Sequence, residues 1–275
     1  MYPVLFTFGP FIISSFGVML VTAFMISNYL IKKDIESDGF DPMIGEDIIF
    51  RAAFGGLIGA KLYYLIETLP SGQAANNITG LLDIIAGIFT LNFNKIAEGI
   101  QIFGAGMVFL GGLMGGMLAV TLYTYKHKLK WLVVADWAAP CLALGHGIGR
   151  IGCFLVGDDY GTPSNLPWAC AFPNGLPPTN LLVHPTQIYE MAAYFLVYIY
   201  LRYRKLYQNF TGELIFEYLF LVGLSRFMVE FIRTNPKYIM GFSGAQYISI
   251  FMILVSMYQM WKMRNKKTAI PGEIG

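Results

Sequence analysis

The chain has 275 residues, 56% of them hydrophobic and 13% charged, with a mean hydropathy of +0.55 and a formal net charge of +2. Soluble domains carry about 25% charged residues, so the composition excludes an ordinary soluble protein and indicates a polytopic membrane protein. The net charge is too small for a nucleic-acid binder, and the 3 cysteines and 3 histidines show no CxxC pair, zinc-ligand spacing or histidine cluster, so no metal site is expected.

Residues 1–31 contain no charge, whereas a cleavable signal peptide begins with basic residues. They predict an uncleaved first span over 11–31, closed by Lys32 and Lys33. A second span is expected over 48–66, with Arg51 and Lys61 inside it and Gly55 and Gly59 spaced for close packing. Residues 67–100 form a connection containing the apolar run Leu81–Leu91. That run is too short for a hydrocarbon core of ~30 Å and reads as an interfacial or re-entrant helix.

The third span is expected over 102–122, thinned on one face by Gly111, Gly112, Gly115 and Gly116, and the fourth over 131–154. Residues 155–185 are a polar, proline-rich loop. Spans five, six and seven are expected over 187–201, 214–232 and 244–263. The whole chain, 1–275, reads as one all-α membrane domain of seven transmembrane helices, with 155–185 as a head loop.

Lysine and arginine orient these spans, because cytoplasmic loops are enriched in them. One set of connections holds Lys32, Lys33, Lys126, Lys128, Lys130, Arg202, Arg204, Lys205, Lys262, Arg264, Lys266 and Lys267; the other holds Lys95, Arg233 and Lys237. The amino terminus is therefore expected outside and the carboxyl terminus in the cytoplasm. The 67–100 connection and the 155–185 loop then lie on the outer face.

Polar groups gather in that outer half. The fourth span ends in Gly145-His146-Gly147-Ile148-Gly149-Arg150-Ile151-Gly152-Cys153, then turns through Gly157-Asp158-Asp159-Tyr160-Gly161. An arginine at the centre of a transmembrane helix costs roughly 2.5–3.5 kcal/mol, so such a group normally faces a cavity and has a task. In a helix, His146 and Arg150 share one face, and Gly145 and Gly149 give a small-residue stripe. His184-Pro185-Thr186-Gln187-Ile188-Tyr189-Glu190 enters span five from the outer loop. Arg226, Glu230 and Arg233 fall at i, i+4 and i+7 on span six. Asp136 and Glu217, at the inner ends of their helices, read as structural partners for Arg or Lys.

Gly149-Arg150-Ile151-Gly152-x-Phe154 with Gly157, Asp158 and Gly161 resembles the signature of the prolipoprotein diacylglyceryl transferase family. So do His184-Pro185-Thr186-Gln187-Ile188-Tyr189-Glu190 and Arg226-Phe227-x-x-Glu230-Phe231-x-Arg233. Phe8-Gly9-Pro10, Gly111-Gly112-Leu113, Asp136 with Ala139-Pro140, and Gly244-x-Gln246 follow the family's order. The resemblance covers nearly the whole chain and implies an enzyme of the bacterial cytoplasmic (inner) membrane. It would move the diacylglyceryl group of phosphatidylglycerol to the lipobox cysteine thiol of a preprolipoprotein, the first step of lipoprotein maturation, without cofactor or metal.

On that reading Arg150 and Arg226 hold the phosphate of the membrane lipid, since a planar guanidinium matches it bidentately. Gly149, Asp158, His184, Gln187, Tyr189, Glu190, Glu230 and Arg233 complete the substrate site. The family's His-Gly-Gly-Leu stands here as Leu110-Gly111-Gly112-Leu113, so the thiol's proton needs another acceptor, and His146 is the first candidate, ahead of His184 and Asp158. Cys153 and Val156 stand where the family has asparagines. Two readings stay open beside the transferase: a paralogue with another acceptor, and a non-catalytic protein that binds or transports lipid. A transporter would show broken helices repeated in matching halves, and no internal repeat is visible. Whether Cys153 and Cys170 pair is left open by the sequence.

Overall fold

In the computed structural model, which describes residues 2–9, 11–104 and 106–266, helix accounts for 72% of the structure. Pro10 of the amino-terminal motif and Lys267 of the basic tail lie outside the described residues. The helices are α1 (Ser15–Ser37), α2 (Met43–Thr68), α3 (Gln73–Phe89), α4 (Phe93–Gly104), α5 (Phe109–Lys126), α6 (Trp131–Val156), α7 (Thr186–Lys205), α8 (Glu213–Val229) and α9 (Gly244–Lys266). Two small two-stranded sheets accompany them, β1 (Val4–Phe8) with β2 (Phe11–Ser14) and the antiparallel pair β3 (Cys170–Phe172) with β4 (Thr179–Val183).

Among the described residues three helices, α1, α2 and α6, are long and apolar enough to cross a bilayer, and the bent pair α4 and α5 makes a fourth if it counts as one span. The others are shorter or less apolar along their length: α8 has 17 residues, and α7 and α9 are interrupted by polar residues such as Gln187, Glu190, Gln246 and Gln259.

Several boundaries differ from the sequence expectation. Residues 11–14 are extended, so the first helix begins at Ser15, where Ser14 Oγ accepts from Gly17 N and caps it. The third expected span breaks after Gly104 and resumes at Phe109. The connection 67–100 holds two helices, α3 and α4, closely packed through Gly80, Gly87 and Gly99. α8 stops at Val229 and passes through a 3-10 turn, Glu230–Ile232, into extended backbone at Arg233.

The helices pack as two compact units. In the unit of residues 6–9, 11–13 and 46–129, α2 and α5 meet along the expected glycine faces. A Cβ at Gly55 would lie 2.6 Å from Ala119 Cβ and 2.8 Å from the Gly115 carbonyl oxygen. Lys61 Nζ donates to the carbonyls of Phe103 and, at 3.4 Å, Gly106, satisfying backbone groups left open where α4 ends.

In the unit of residues 2–5, 14–45 and 130–266, α6 is central. Its alanine stripe, Ala135, Ala139 and Ala143, is buried against Tyr194, Val197 and Leu201 of α7 and Leu214, Ile215, Tyr218 and Val222 of α8. Ala23 of α1 closes on Leu144 and Ile148. Gly145 and Gly149 do not form the expected contact stripe, since a Cβ on either would meet nothing within 4 Å. Gly147 and Gly152 take that part, against Phe195 and against Phe16 with Met19.

Asp136 pairs with no Arg or Lys among the described residues. Its carboxylate accepts from Gly212 N at 2.5 Å, Ile215 N at 3.0 Å and Gln208 Nε2 at 2.6 Å, and so caps the start of α8. Glu217 does take a basic partner, Arg204 Nε at 2.9 Å. At the same end Arg202 and Lys205 close on the buried Asp34 at 2.6 and 3.2 Å. These contacts fix α1, α6, α7 and α8 at one end and leave the other to the head loop.

Candidate active site

The head loop is assembled from backbone before any charged group is placed. α6 ends at Gly157, whose φ of 79° is the left-handed cap that favours glycine. The next turn is held by Gly161 N to His184 O at 2.9 Å, His184 N to Thr162 O at 3.0 Å and Thr162 N to Ile232 O at 2.8 Å. A Cβ at Gly161 would lie 2.6 Å from the Ile232 carbonyl oxygen, so only glycine lets the three strands of chain approach this closely. Thr186 Oγ1 donates to Asp159 O at 2.6 Å, and Gln187 Nε2 to Asp158 O. The end of α6, the start of α7 and the residues after α8 are thereby locked together.

That lock brings Arg150, Glu190, Arg226, Glu230 and Arg233 into one cluster and adds Asp159. Glu190, fully buried in the first turns of α7, is the centre. Arg226 Nη1 donates to its Oε1 at 2.7 Å, while Arg150 Nε lies 3.0 Å and Arg233 Nη1 3.7 Å from its Oε2. The contacts on Oε2 are ion pairs and not hydrogen bonds. Glu230 lies 3.4 Å from Arg226 Nη2 and 3.9 Å from Arg233 Nε, and its Oε1 accepts from Asn235 Nδ2 at 2.5 Å. The expected stripe on α8 thus survives as a cluster, although Glu230 and Arg233 lie beyond the helix end.

Asp159, which the sequence reading did not select, bonds two of the arginines: Arg150 Nη1 at 2.8 Å and Arg233 Nη2. Its φ of 62° is left-handed, which Asp tolerates better than most residues. Nothing in the sequence distinguishes it from Asp158; the left-handed turn that aims it at the arginines is a feature of the fold. Burial alone would push its carboxyl up, but Arg233 and Arg150 outweigh burial and hold it below the usual carboxylate range. For Asp158 the balance is reversed: burial first, then the neighbouring Asp159 charge, push its carboxyl up. Cys153 Sγ and one oxygen each of Asp158 and Asp159 lie within 4.8 Å of one another. The cation beside that trio is Arg150, whose Nη1 is 3.6 Å from the sulfur.

The three arginines differ in what they can still reach. Side-chain exposure is 19% for Arg150 and 24% for Arg226 but 5% for Arg233. Arg150 Nη2 and Arg226 Nε have no protein partner among the described residues. Arg150 and Arg226 therefore keep donors within reach of an incoming anion, while Arg233 is enclosed, its Nε and Nη1 buried without a hydrogen bond at ion-pair distance from Glu230 and Glu190.

The histidines lie apart from one another. His146, one helical turn before Arg150, has its Nδ1 3.2 Å from Tyr218 OH and its ring 5.3 Å from that of Tyr194. His184 Nδ1 is 3.3 Å from Tyr189 OH, which accepts from Trp168 Nε1 at 2.7 Å. Gly149 is open on its Cβ side. All three cysteines, including Cys153 and Cys170, are free.

Residues 3–262 match the family described as prolipoprotein diacylglyceryl transferase. Among curated relatives, the phosphatidylglycerol–prolipoprotein diacylglyceryl transferase of Clostridium tetani is 31% identical over 264 residues, covering 94% of this chain and 96% of the relative. The protein of that name from Bordetella bronchiseptica is 30% identical over 92% of this chain and 91% of its own length. The phosphatidylglycerol–prolipoprotein diacylglyceryl transferase 2 of Clostridium perfringens is 28% identical, with 93% of each chain covered.

Proposed function

The chain belongs to the prolipoprotein diacylglyceryl transferase family, and from that premise we propose that its arginine cluster binds phosphatidylglycerol and transfers the lipid's diacylglyceryl group to a preprolipoprotein cysteine. The observation that carries this reading is Glu190. One buried carboxylate holds Arg150 and Arg226 side by side, each with a nitrogen left for an outside acceptor. Two guanidiniums fixed in this way suit a phosphate diester and the extra charge that develops on it.

In the reaction, the acceptor thiolate attacks the glycerol carbon of the diacylglyceryl group. The C–S thioether bond forms as the C–O bond to phosphate breaks, and the electron pair of that bond leaves on glycerol phosphate. Arg150 and Arg226 hold the departing phosphate. Glu190, Glu230, Arg233 and Asp159 hold the two arginines. His146 takes the thiol proton: Tyr218 engages one ring nitrogen, and Nε2 has no partner among the described residues. His184 with Tyr189, and Gly149 on its open side, border the acceptor's path.

The seven-span arrangement, with the amino terminus outside and the cluster at the outer face of the cytoplasmic (inner) membrane, belongs to the same proposal. It is supported by the Lys and Arg distribution and by the cluster's position at the ends of α6 and α8 and the start of α7. Both substrates then arrive from the bilayer. The test is to incubate the purified protein with phosphatidylglycerol vesicles and a lipobox peptide and weigh the peptide. A mass gain of one diacylglyceryl group, lost in Arg150→Ala, is the expected result; an unchanged peptide would overturn it.

A further inference from the structure

Four buried oxygens at the arginine cluster accept no hydrogen bond among the described residues: Glu190 Oε2 and Glu230 Oε2 lie in ion pairs with arginines, whereas Gln187 Oε1 and Asp158 Oδ1 have neither a hydrogen bond nor an ion pair. The Gln187 side chain has no exposure. Its Nε2 is committed to the Asp158 carbonyl, which fixes the amide so that its oxygen is left to accept. The two residues are thereby in direct contact. They also adjoin the phosphate side of the site, because Asp158 lies within 4.8 Å of Cys153 and Asp159, and both of these touch Arg150 Nη1. Native proteins rarely leave such acceptors unmatched, because each costs stability until a donor arrives.

We propose that Gln187 Oε1 and Asp158 Oδ1 accept hydrogen bonds from the two hydroxyl groups of the lipid's glycerol headgroup, reading a 1,2-diol while Arg150 and Arg226 hold the adjoining phosphate. This rests on the function proposed above and adds a basis for headgroup choice. The match is one of chemical type. A glycerol headgroup offers two O–H donors on adjacent carbons, and the site offers two acceptors on residues in contact. The bond that breaks lies on the other side of the phosphate, so the diol leaves with it as glycerol phosphate. The contacts therefore persist from bound lipid through to product. A headgroup without hydroxyls leaves both oxygens unmatched.

The experiment compares vesicles of phosphatidylglycerol with vesicles of phosphatidylethanol, which keeps the phosphate diester and lacks both hydroxyls, using full-length protein and a lipobox peptide. Wild-type kcat/KM should favour phosphatidylglycerol on the order of 100-fold, and in Gln187→Met that preference should shrink by roughly 10-fold. Equal wild-type turnover of the two lipids would overturn the inference, since water must then satisfy the acceptors. So would a Gln187→Met enzyme slowed equally on both lipids, because that is a structural effect. If Gln187→Met fails to insert, product inhibition of the wild type reads the same subsite: glycerol phosphate inhibiting more strongly than ethyl phosphate supports it, and equal inhibition overturns it. No transfer from either lipid would instead remove the proposed function itself.

Discussion

Glu190 and Arg226 are joined by a 2.7 Å hydrogen bond from Nη1 to Oε1, and the carboxylate that accepts it has no exposure to solvent. Two further guanidiniums stand at its other oxygen. A buried carboxylate is costly unless well paired, and three buried or half-buried arginines are costlier still without an anion among them. Glu190 is therefore the residue on which the arrangement of the other charges depends.

Glu190→Gln keeps the shape and removes the charge, so it should cost stability as well as activity. Breaking a buried ion pair costs about 3–5 kcal/mol. Unfolding of the detergent-purified variant should shift by that order, and transfer activity should be lost. Adding Arg233→Gln removes one uncompensated cation, so the double variant should be less destabilised than the sum of the two single ones. Strict additivity would show that Glu190 and Arg233 do not share a network.

Arg150→Lys and Arg226→Lys keep a positive charge but lose the planar fork. Each should insert normally and lose most of its activity, because the remaining ammonium cannot hold the cluster's carboxylates and the phosphate together. Arg233→Lys should behave differently and lower thermal stability most, since that side chain is 5% exposed and faces Asp159, Glu190 and Glu230. Near-normal turnover in both Arg150→Lys and Arg226→Lys would reduce those arginines to structural ties.

The two aspartates titrate in opposite senses. Asp158 has its carboxyl pushed up by burial and by Asp159, so its ionised form is less favourable in the folded than in the unfolded chain. That penalty is absent below the ordinary carboxylate range near ~4 and complete above the raised value. Asp158→Asn should therefore unfold at higher temperature than wild type at neutral pH, with the difference vanishing in acid. Asp159 is held low by Arg233 and Arg150, so its contribution is present above the ordinary value and is lost as pH falls through the depressed one. Asp159→Asn should accordingly be less stable than wild type at neutral pH. Melting curves of the two variants from pH 4 to 8 check both signs.

Much of the site was legible because it is made of charges in apolar surroundings. Arg150, Glu190, Arg226, Glu230 and Arg233 stand out in a chain with 13% charged residues, and all five come together. Asp159 did not stand out, because its task depends on a left-handed backbone turn that sequence spacing does not encode. Asp136 was assigned the wrong kind of partner for a related reason: capping another helix's backbone leaves no complementary charge to read. The glycines divide similarly. Gly55 and Gly59 pack where spacing places them, but on α6 the contact moves to Gly147 and Gly152, because Phe195 and Phe16 decide which side of that helix is covered.

Orientation is checked by labelling. In a Cys-free background, Asn165→Cys in the exposed head loop should react with an impermeant thiol reagent in intact cells. Lys128→Cys, exposed between α5 and α6, should react only after permeabilisation. Labelling of Lys128→Cys in intact cells would sink the proposed topology.

The last prediction concerns the thiol's proton, because Leu110 stands where the family's histidine is expected and has no group to accept it. His146 lies one turn from Arg150, with Tyr218 OH at 3.2 Å on Nδ1 fixing the ring and Nε2 left over. If it is the base, His146→Ala should lower turnover by roughly 10²–10⁴-fold. The variant should keep its affinity for phosphatidylglycerol, since the arginines that hold the phosphate are untouched. The open sides of Gly145 and Gly149 leave room next to this turn, so added imidazole should restore part of the lost rate. Removing the base deletes a proton transfer, whereas removing a packing residue would loosen lipid binding and melt the protein earlier. His184→Ala tests the alternative at the head loop, where Tyr189 OH is 3.3 Å from Nδ1. A fully active His146→Ala enzyme would remove His146 as the base, and full activity in His184→Ala as well would favour activation of the thiolate by the two arginines' charge. Leu110→His then asks whether the family's usual position still works: a gain in turnover in the His146→Ala background would show that a proton acceptor there can replace the one removed.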